Sequence, residues 1–106
     1  MVDVEALSSI PFGALARLLA AEARRHELVV PAFSSPPRTP GANRTIRRLP
    51  GGGVMVAVRV RDRGVQDVID DLVEGVLVAN GLAGQAAVGW RLALRTVLGG
   101  EEAMAA

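Results

Sequence analysis

The side chains with the most chemistry to offer are the arginines at 38, 44, 47, 48, 59, 61 and 63, opposed between residues 38 and 63 by Asp62 alone. A guanidinium is a permanently charged planar fork of donors that meets a phosphate or a carboxylate in two-point contact. The segment carries a net +6, against −1 for residues 1–37 and −4 for residues 64–106, so an overall charge of +1 conceals one basic region. Exposed charges beyond a Debye length, about 8 Å at physiological salt, hardly cancel such a local field. Arg38, Arg44, Arg47, Arg48, Arg59, Arg61 and Arg63 therefore suit nucleic-acid phosphates or an acidic protein partner, with pairing to acids of the same chain as the structural alternative. Only three aromatic residues occur, Phe12, Phe33 and Trp90, and residues 34–63 hold none. Without a stacking platform for single strands, contact with nucleic acid is expected at the backbone of a duplex, without strong sequence preference.

Other constellations carry less. Asp67, Asp70, Asp71 and Glu74 share one helical face and could meet a divalent cation or a basic partner, but acids on one rigid helix rarely converge on an ion. They are expected to form an ordinary solvated face, with Asp67 favoured near the helix amino end. Glu22 and His26, spaced i, i+4, read as a helical contact rather than an acid–base pair. Gly51-Gly52-Gly53 has no following Gly-Lys-Ser/Thr and precedes a strand-like run, so it reads as a turn and not a phosphate cradle. Pro37-Arg38-Thr39-Pro40 matches the minimal PxxP pattern, and Ser35-Pro36 and Thr39-Pro40 are minimal phosphorylation sites, all short enough to arise by chance. The chain has no Cys and one His, which removes disulfides, thiolate metal sites and multi-His centres. With no nucleophile–base pair and no nucleotide loop, the expectation is a non-enzymatic protein with no catalytic residues, no metal and no cofactor.

Several elements must position the arginines. Phe12, Leu15, Leu19 and Ala23 recur at helical spacing, predicting a helix over about 11–27 with Ser8 or Ser9 as its cap and Pro11 in its first turn. Residues 28–33 are apolar but contain Pro31, which allows at best an edge strand. Four of the six prolines lie between 31 and 40, making 34–44 a Pro-rich loop. Thr45–Leu49 and Val54–Arg63, joined by Pro50 and three glycines, predict a β-hairpin. Val54, Val56 and Val58 alternate toward the core, which would set Arg59, Arg61 and Arg63 in a row on the other face. The glycines leave the register open, and with it the faces of Arg47 and Arg48.

Val65, Val68, Ile69, Leu72, Val73, Val76 and Leu77 form a helical stripe that Asn80-Gly81 should end. Residues 82–98 fit a helix better than a strand, because alanines precede the run, and Gly99-Gly100 should end it before a flexible tail at 99–106. Residues 1–8 are expected to be a flexible amino terminus without the positive start of a secretory signal. Acids and arginines interrupt the longest apolar stretch, so no membrane association is expected and the cytoplasm is the expected location. The fold class is thus a small single α+β domain over residues 9–98: an amino-terminal helix, an antiparallel hairpin or small sheet, and carboxy-terminal helices. The function this supports is a binding module whose arginine-rich hairpin and loop contact nucleic-acid phosphates. The alternative is a homodimeric accessory protein whose basic surface meets an acidic partner. Small residues at Ala83, Gly84, Ala86, Ala87 and Gly89 permit close helix packing across a two-fold axis, so a homodimer is expected.

Overall fold

The apolar stripe of residues 65–77 becomes the centre of the molecule. The structure, a computed structural model, describes residues 10–105, which form α1 (Phe12–Arg25), β1 (Ala32–Ser34), β2 (Arg44–Arg48), β3 (Val54–Val58), α2 (Val65–Ala79) and α3 (Gly84–Ala105). On α2, Val68, Ile69, Leu72, Val73, Val76 and Leu77 are all buried, and the helix packs on β3, α1 and α3. Leu15, Leu19 and Ala23 of α1 and Ala87, Leu94 and Leu98 of α3 close the same core. The α+β class stands, as do the helical reading of residues 84–98 and the inward valines Val54, Val56 and Val58.

The sheet corrects one expectation, for it is mixed and not purely antiparallel. Its order is β1-β3-β2, with β2 antiparallel and β1 parallel to β3. The nine residues between Ser34 and Arg44 carry the chain across the end of β3, so β2 itself belongs to the crossover that a parallel pair requires. Arg44 lies opposite Val58, Thr45 opposite Ala57, Ile46 opposite Val56, Arg47 opposite Met55 and Arg48 opposite Val54. That register resolves the ambiguity of the glycine turn: Arg47 shares the outer face with Met55, and Arg48 shares a face with Val54.

The predicted arginine row at 59, 61 and 63 is also corrected. The Arg59 N–H still donates to the Asn43 carbonyl at 2.8 Å, but β3 ends at Val58. Its partner strand has run out there, because the chain before Asn43 turns through Pro40-Gly41, with the Ala42 N–H on the Thr39 carbonyl. Residues 61–62 then turn, Asp62 taking φ 62°, and Arg63 swings to the inner side.

Two helices end in the same way with different residues. At α2, the Leu82 N–H donates to the Leu77 carbonyl and the Gly81 N–H to that of Val78, with Gly81 at φ 64°. At α1, Leu28 donates to Ala23 and Glu27 to Arg24, the same Schellman closure with Glu27 at φ 59° where glycine is usual. Asn80 does more than stop α2. Its side-chain oxygen accepts the Val29 N–H at 2.6 Å and its amide donates to the Val29 carbonyl at 3.0 Å, tying the connection after α1 to the end of α2. The expected cap from Ser8 or Ser9 lies outside the described residues; among the described residues Pro11 precedes α1 and no side chain caps it. α3 runs past Gly99-Gly100, the pair expected to end it, to Ala105.

Candidate functional site

All three helices lie on the inner side of the sheet, where Phe33, Ile46 and Val56 join the core. The outer side is built from alternate residues in register. Ser34 and Thr45 both lie opposite Ala57, forming one cross-strand line, and Ala32 and Arg47 flank Met55 in the next. Each hydroxyl is therefore about one strand spacing, roughly 4.8 Å, from the central strand. The small side chain of Ala57 leaves a depression between them, and the loop over the end of β3 brings in Arg38. The result is a cleft of about 200 Å³ lined by Ser34, Arg38, Thr45, Arg47, Met55 and Ala57.

Among the described residues no acid lines this cleft. Among the described residues, Arg38, Arg47, Arg48, Arg59 and Arg61 form no ion pair. Strand alternation places Arg59 after Met55 and Ala57 on the same outer side, and its Nε is buried without a hydrogen-bond partner. Two guanidinium groups, two hydroxyls and an apolar floor form a donor-rich recess for one anionic group. At about 200 Å³ it is smaller than the roughly 300–1,000 Å³ of pockets that enclose whole small molecules, so it suits a phosphate or carboxylate belonging to something larger.

Arg44 and Arg63 are used differently. Arg44 Nη1 donates to Asp71 Oδ1 at 2.7 Å, while Arg63 Nη1 lies 2.6 Å from Asp71 Oδ2 off the hydrogen-bond direction. The Arg63 fork donates instead to the carbonyls of Arg59, Asn43 and Asp67. The Arg63 side chain is 9% exposed and that of Asp71 13%, so this is a nearly dry clamp joining β2, the turn after β3 and α2. The seven arginines are thus not one surface. Register turns Arg44 inward and Arg47 outward, and the turn at Asp62 takes Arg63 out of the outer set.

The acids of α2 are correspondingly not a solvated face. Asp71 is buried in the clamp, Glu74 accepts from Arg91 Nε at 2.5 Å, and Asp70 lies 2.8 Å from Arg95 Nε. The last two pairs staple α2 to α3, and the hydrogen bond from Glu74 raises the Arg91 pKa further above its ordinary value. A basic residue on the next helix at matching height was the available signal: Arg91 and Arg95, spaced i, i+4, face Glu74 and Asp70, also spaced i, i+4. The Glu22–His26 contact forms as expected, with Nε2 and Oε2 2.8 Å apart, and the hydrogen bond to His26 together with Arg25 holds the Glu22 carboxyl below its ordinary pKa. The imidazole also meets Trp90 edge to face, with ring centres 5.0 Å apart, which makes it a link between α1 and α3.

Among the described residues no group of three or more His, Asp or Glu side chains could hold a metal ion, and no helix is long and apolar enough to cross a membrane. The chain matches no protein-family model, no curated protein and no solved structure.

Proposed function

We propose that this chain is a non-enzymatic, cytoplasmic binding module that holds nucleic-acid phosphates against the open face of its sheet. The observation that carries this reading is the cleft over Ala57, where Arg38, Arg47, Ser34 and Thr45 converge without an acid. One phosphate enters the cleft, and Arg59 and Arg61 meet neighbouring phosphates, whereas Arg48 lies in register with the inward Val54 and takes no part on this face. Arg44 and Arg63 act from within by fixing the hairpin on α2. No aromatic residue occurs in 34–63 to stack on bases, so recognition is of a duplex backbone and is weakly selective for sequence.

The test is fluorescence anisotropy with labelled duplex DNA, duplex RNA and single strands at two salt concentrations. Saturable duplex binding is expected, falling steeply with salt. Arg38→Ala/Arg47→Ala should weaken every duplex alike and reduce the salt slope by about one, since the lost phosphate contact removes roughly 0.9. Absence of binding at low salt, or a double variant that binds like the parent, would overturn the reading.

A homodimer is the second part of the proposal, favoured by α3. Leu92 is 70% and Val88 57% exposed, and Gln85, Gly89, Ala93 and Thr96 complete an outward face without a charge. A Cβ on Gly89 would meet nothing within the subunit, so its smallness serves no internal packing. A second copy laid across this face covers apolar surface with no like-charge contact. Sedimentation should show a dimer at micromolar concentrations that Leu92→Glu dissociates; a monomer at every concentration would reject it.

A further inference from the structure

A second concavity lies on another part of the molecule, between α1 and the edge strand β1. It measures about 400 Å³, with Ala16 and Ala20 of α1 on one side and Val30, Pro31 and Phe33 on the other. Arg17 and Arg24 stand on its rim, both exposed, and neither has an acidic partner among the described residues. The acid nearest to them in sequence, Glu22, is engaged by Arg25 and His26. The groove therefore joins an apolar floor to two uncompensated positive charges.

We propose that this groove is a docking site for a short, acidic, partly apolar segment of another protein, bound in extended form beside β1. Charge complementarity and spacing decide the occupant. Arg17 and Arg24 are seven residues apart on one helix, two turns or roughly 10 Å along the axis. In an extended chain only alternate side chains share a face, so acids at i and i+2, about 6.8 Å apart, face the two arginines, whose long side chains close the difference, while the intervening residues turn to Ala16, Ala20 and Phe33. A lipid-like carboxylate has one charge and satisfies only one arginine. Among the described residues β1 pairs with β3 alone and is an edge of the sheet, the setting in which extended segments dock. The small Ala16 and Ala20 leave room for the segment. The site is independent of the cleft over Ala57 and shares no residue with it.

The test uses the full chain and a fluorescein-labelled peptide, Gly-Glu-Val-Glu-Leu-Gly, in anisotropy titrations. Saturable binding below about 1 mM is expected. Arg17→Glu/Arg24→Glu should weaken it about tenfold or more, as two exposed pairs become repulsions. Ala20→Met, which fills the floor without touching charge, should weaken it as well. The Lys-for-Glu peptide should not bind, and decanoate should not displace the parent peptide. No saturable binding, equal binding of the Lys peptide, displacement by decanoate, or indifference to the arginine reversal would each overturn the proposal. Arg38→Ala/Arg47→Ala should leave peptide affinity unchanged, and Arg17→Glu/Arg24→Glu should leave the α1 circular dichroism signal intact, which separates this site from the sheet face and from misfolding.

Discussion

Gly75 lies on the side of α2 that packs against Val56 of β3, and replacing it with alanine isolates that contact. A Cβ built there lies 2.7 Å from both γ-carbons of Val56 and 3.1 Å from its β-carbon. Carbon atoms rest at about 3.5–4.0 Å, so each methyl is about 1 Å too near. Val56 is 0% exposed and β-branched, and turning its χ1 to clear one methyl drives the other into packed neighbours. Overpacking of this kind costs about 1–3 kcal/mol, while alanine in mid-helix gains about 1 kcal/mol over glycine. Gly75→Ala is therefore expected to destabilise by up to about 2 kcal/mol, a fall of up to roughly 15 °C in Tm for a domain of this size.

The same substitution should change sign when Val56 is alanine. Removing both methyls costs about 2 kcal/mol by itself through the cavity it leaves, but the new Cβ then enters free space and the helical gain of about 1 kcal/mol remains. Urea denaturation of the parent, the two single variants and the double variant measures the coupling, expected at about 1–3 kcal/mol. A stabilising Gly75→Ala in the parent, or an equal effect in both backgrounds, would show that α2 does not rest on β3 at this point.

The remaining predictions concern charge and backbone. Asp71→Asn should cost about 2–3 kcal/mol in urea denaturation, because it removes the carboxylate from two guanidinium groups, one of them nearly dry; Asp70→Asn, at a half-exposed pair with Arg95, should cost under about 1 kcal/mol. Equal losses would deny the clamp its special place. Glu27→Gly should raise stability by about 0.5–1 kcal/mol, since glycine takes φ 59° without the Cβ clash and removes an anion from the negative end of α1; an unchanged Tm would contradict this. Glu22 has a lower pKa folded than unfolded, so its contribution is present above the ordinary carboxylate range and is lost as pH falls through it. Parent and Glu22→Gln should accordingly differ in stability at pH 6 and converge toward pH 3, and a gap that persists in acid would contradict the ion pair.

Much of this architecture is legible in the residue pattern, and the exceptions share a cause. Helical spacing marks α1, α2 and α3, and strict valine alternation marks β3, because these signals are local and repeat. The partner of β1 is not local: three residues containing no charge and following Pro31 say nothing about which strand they will join. The fate of Arg63 is likewise set by one backbone angle at Asp62, which is no glycine and gives no warning. Gly75 carries no local signal of its own: Gly89 is as isolated within α3, yet a Cβ there would meet nothing, and only the packing on Val56 tells the two apart. The cleft was half visible, since Arg38 and Arg47 stood among the candidates, whereas Ser34 and Thr45 matter only because both register against Ala57.

Charge counted along a chain is not the field presented at its surface, and α2 shows why. Its acids belong to the −4 segment and the arginines of 38–63 to the +6 segment, yet Asp71 takes up Arg44 and Arg63, and Glu74 and Asp70 take up Arg91 and Arg95. Those pairings consume the opposing charges inside the fold and build its helix–helix and helix–sheet joints. What they leave over is directional: Arg38, Arg47 and Arg59 on the outer face of the sheet, Arg61 in the turn beyond it and Arg48 at the end of β2. A surface selected in this way is more sharply positive than the net +1 of the whole molecule implies, because each neutralised pair faces inward or along the helices and does not dilute it. The internal clamps and the open basic face therefore have one origin, in which the acids of α2 determine which arginines are left without an opposing charge among the described residues.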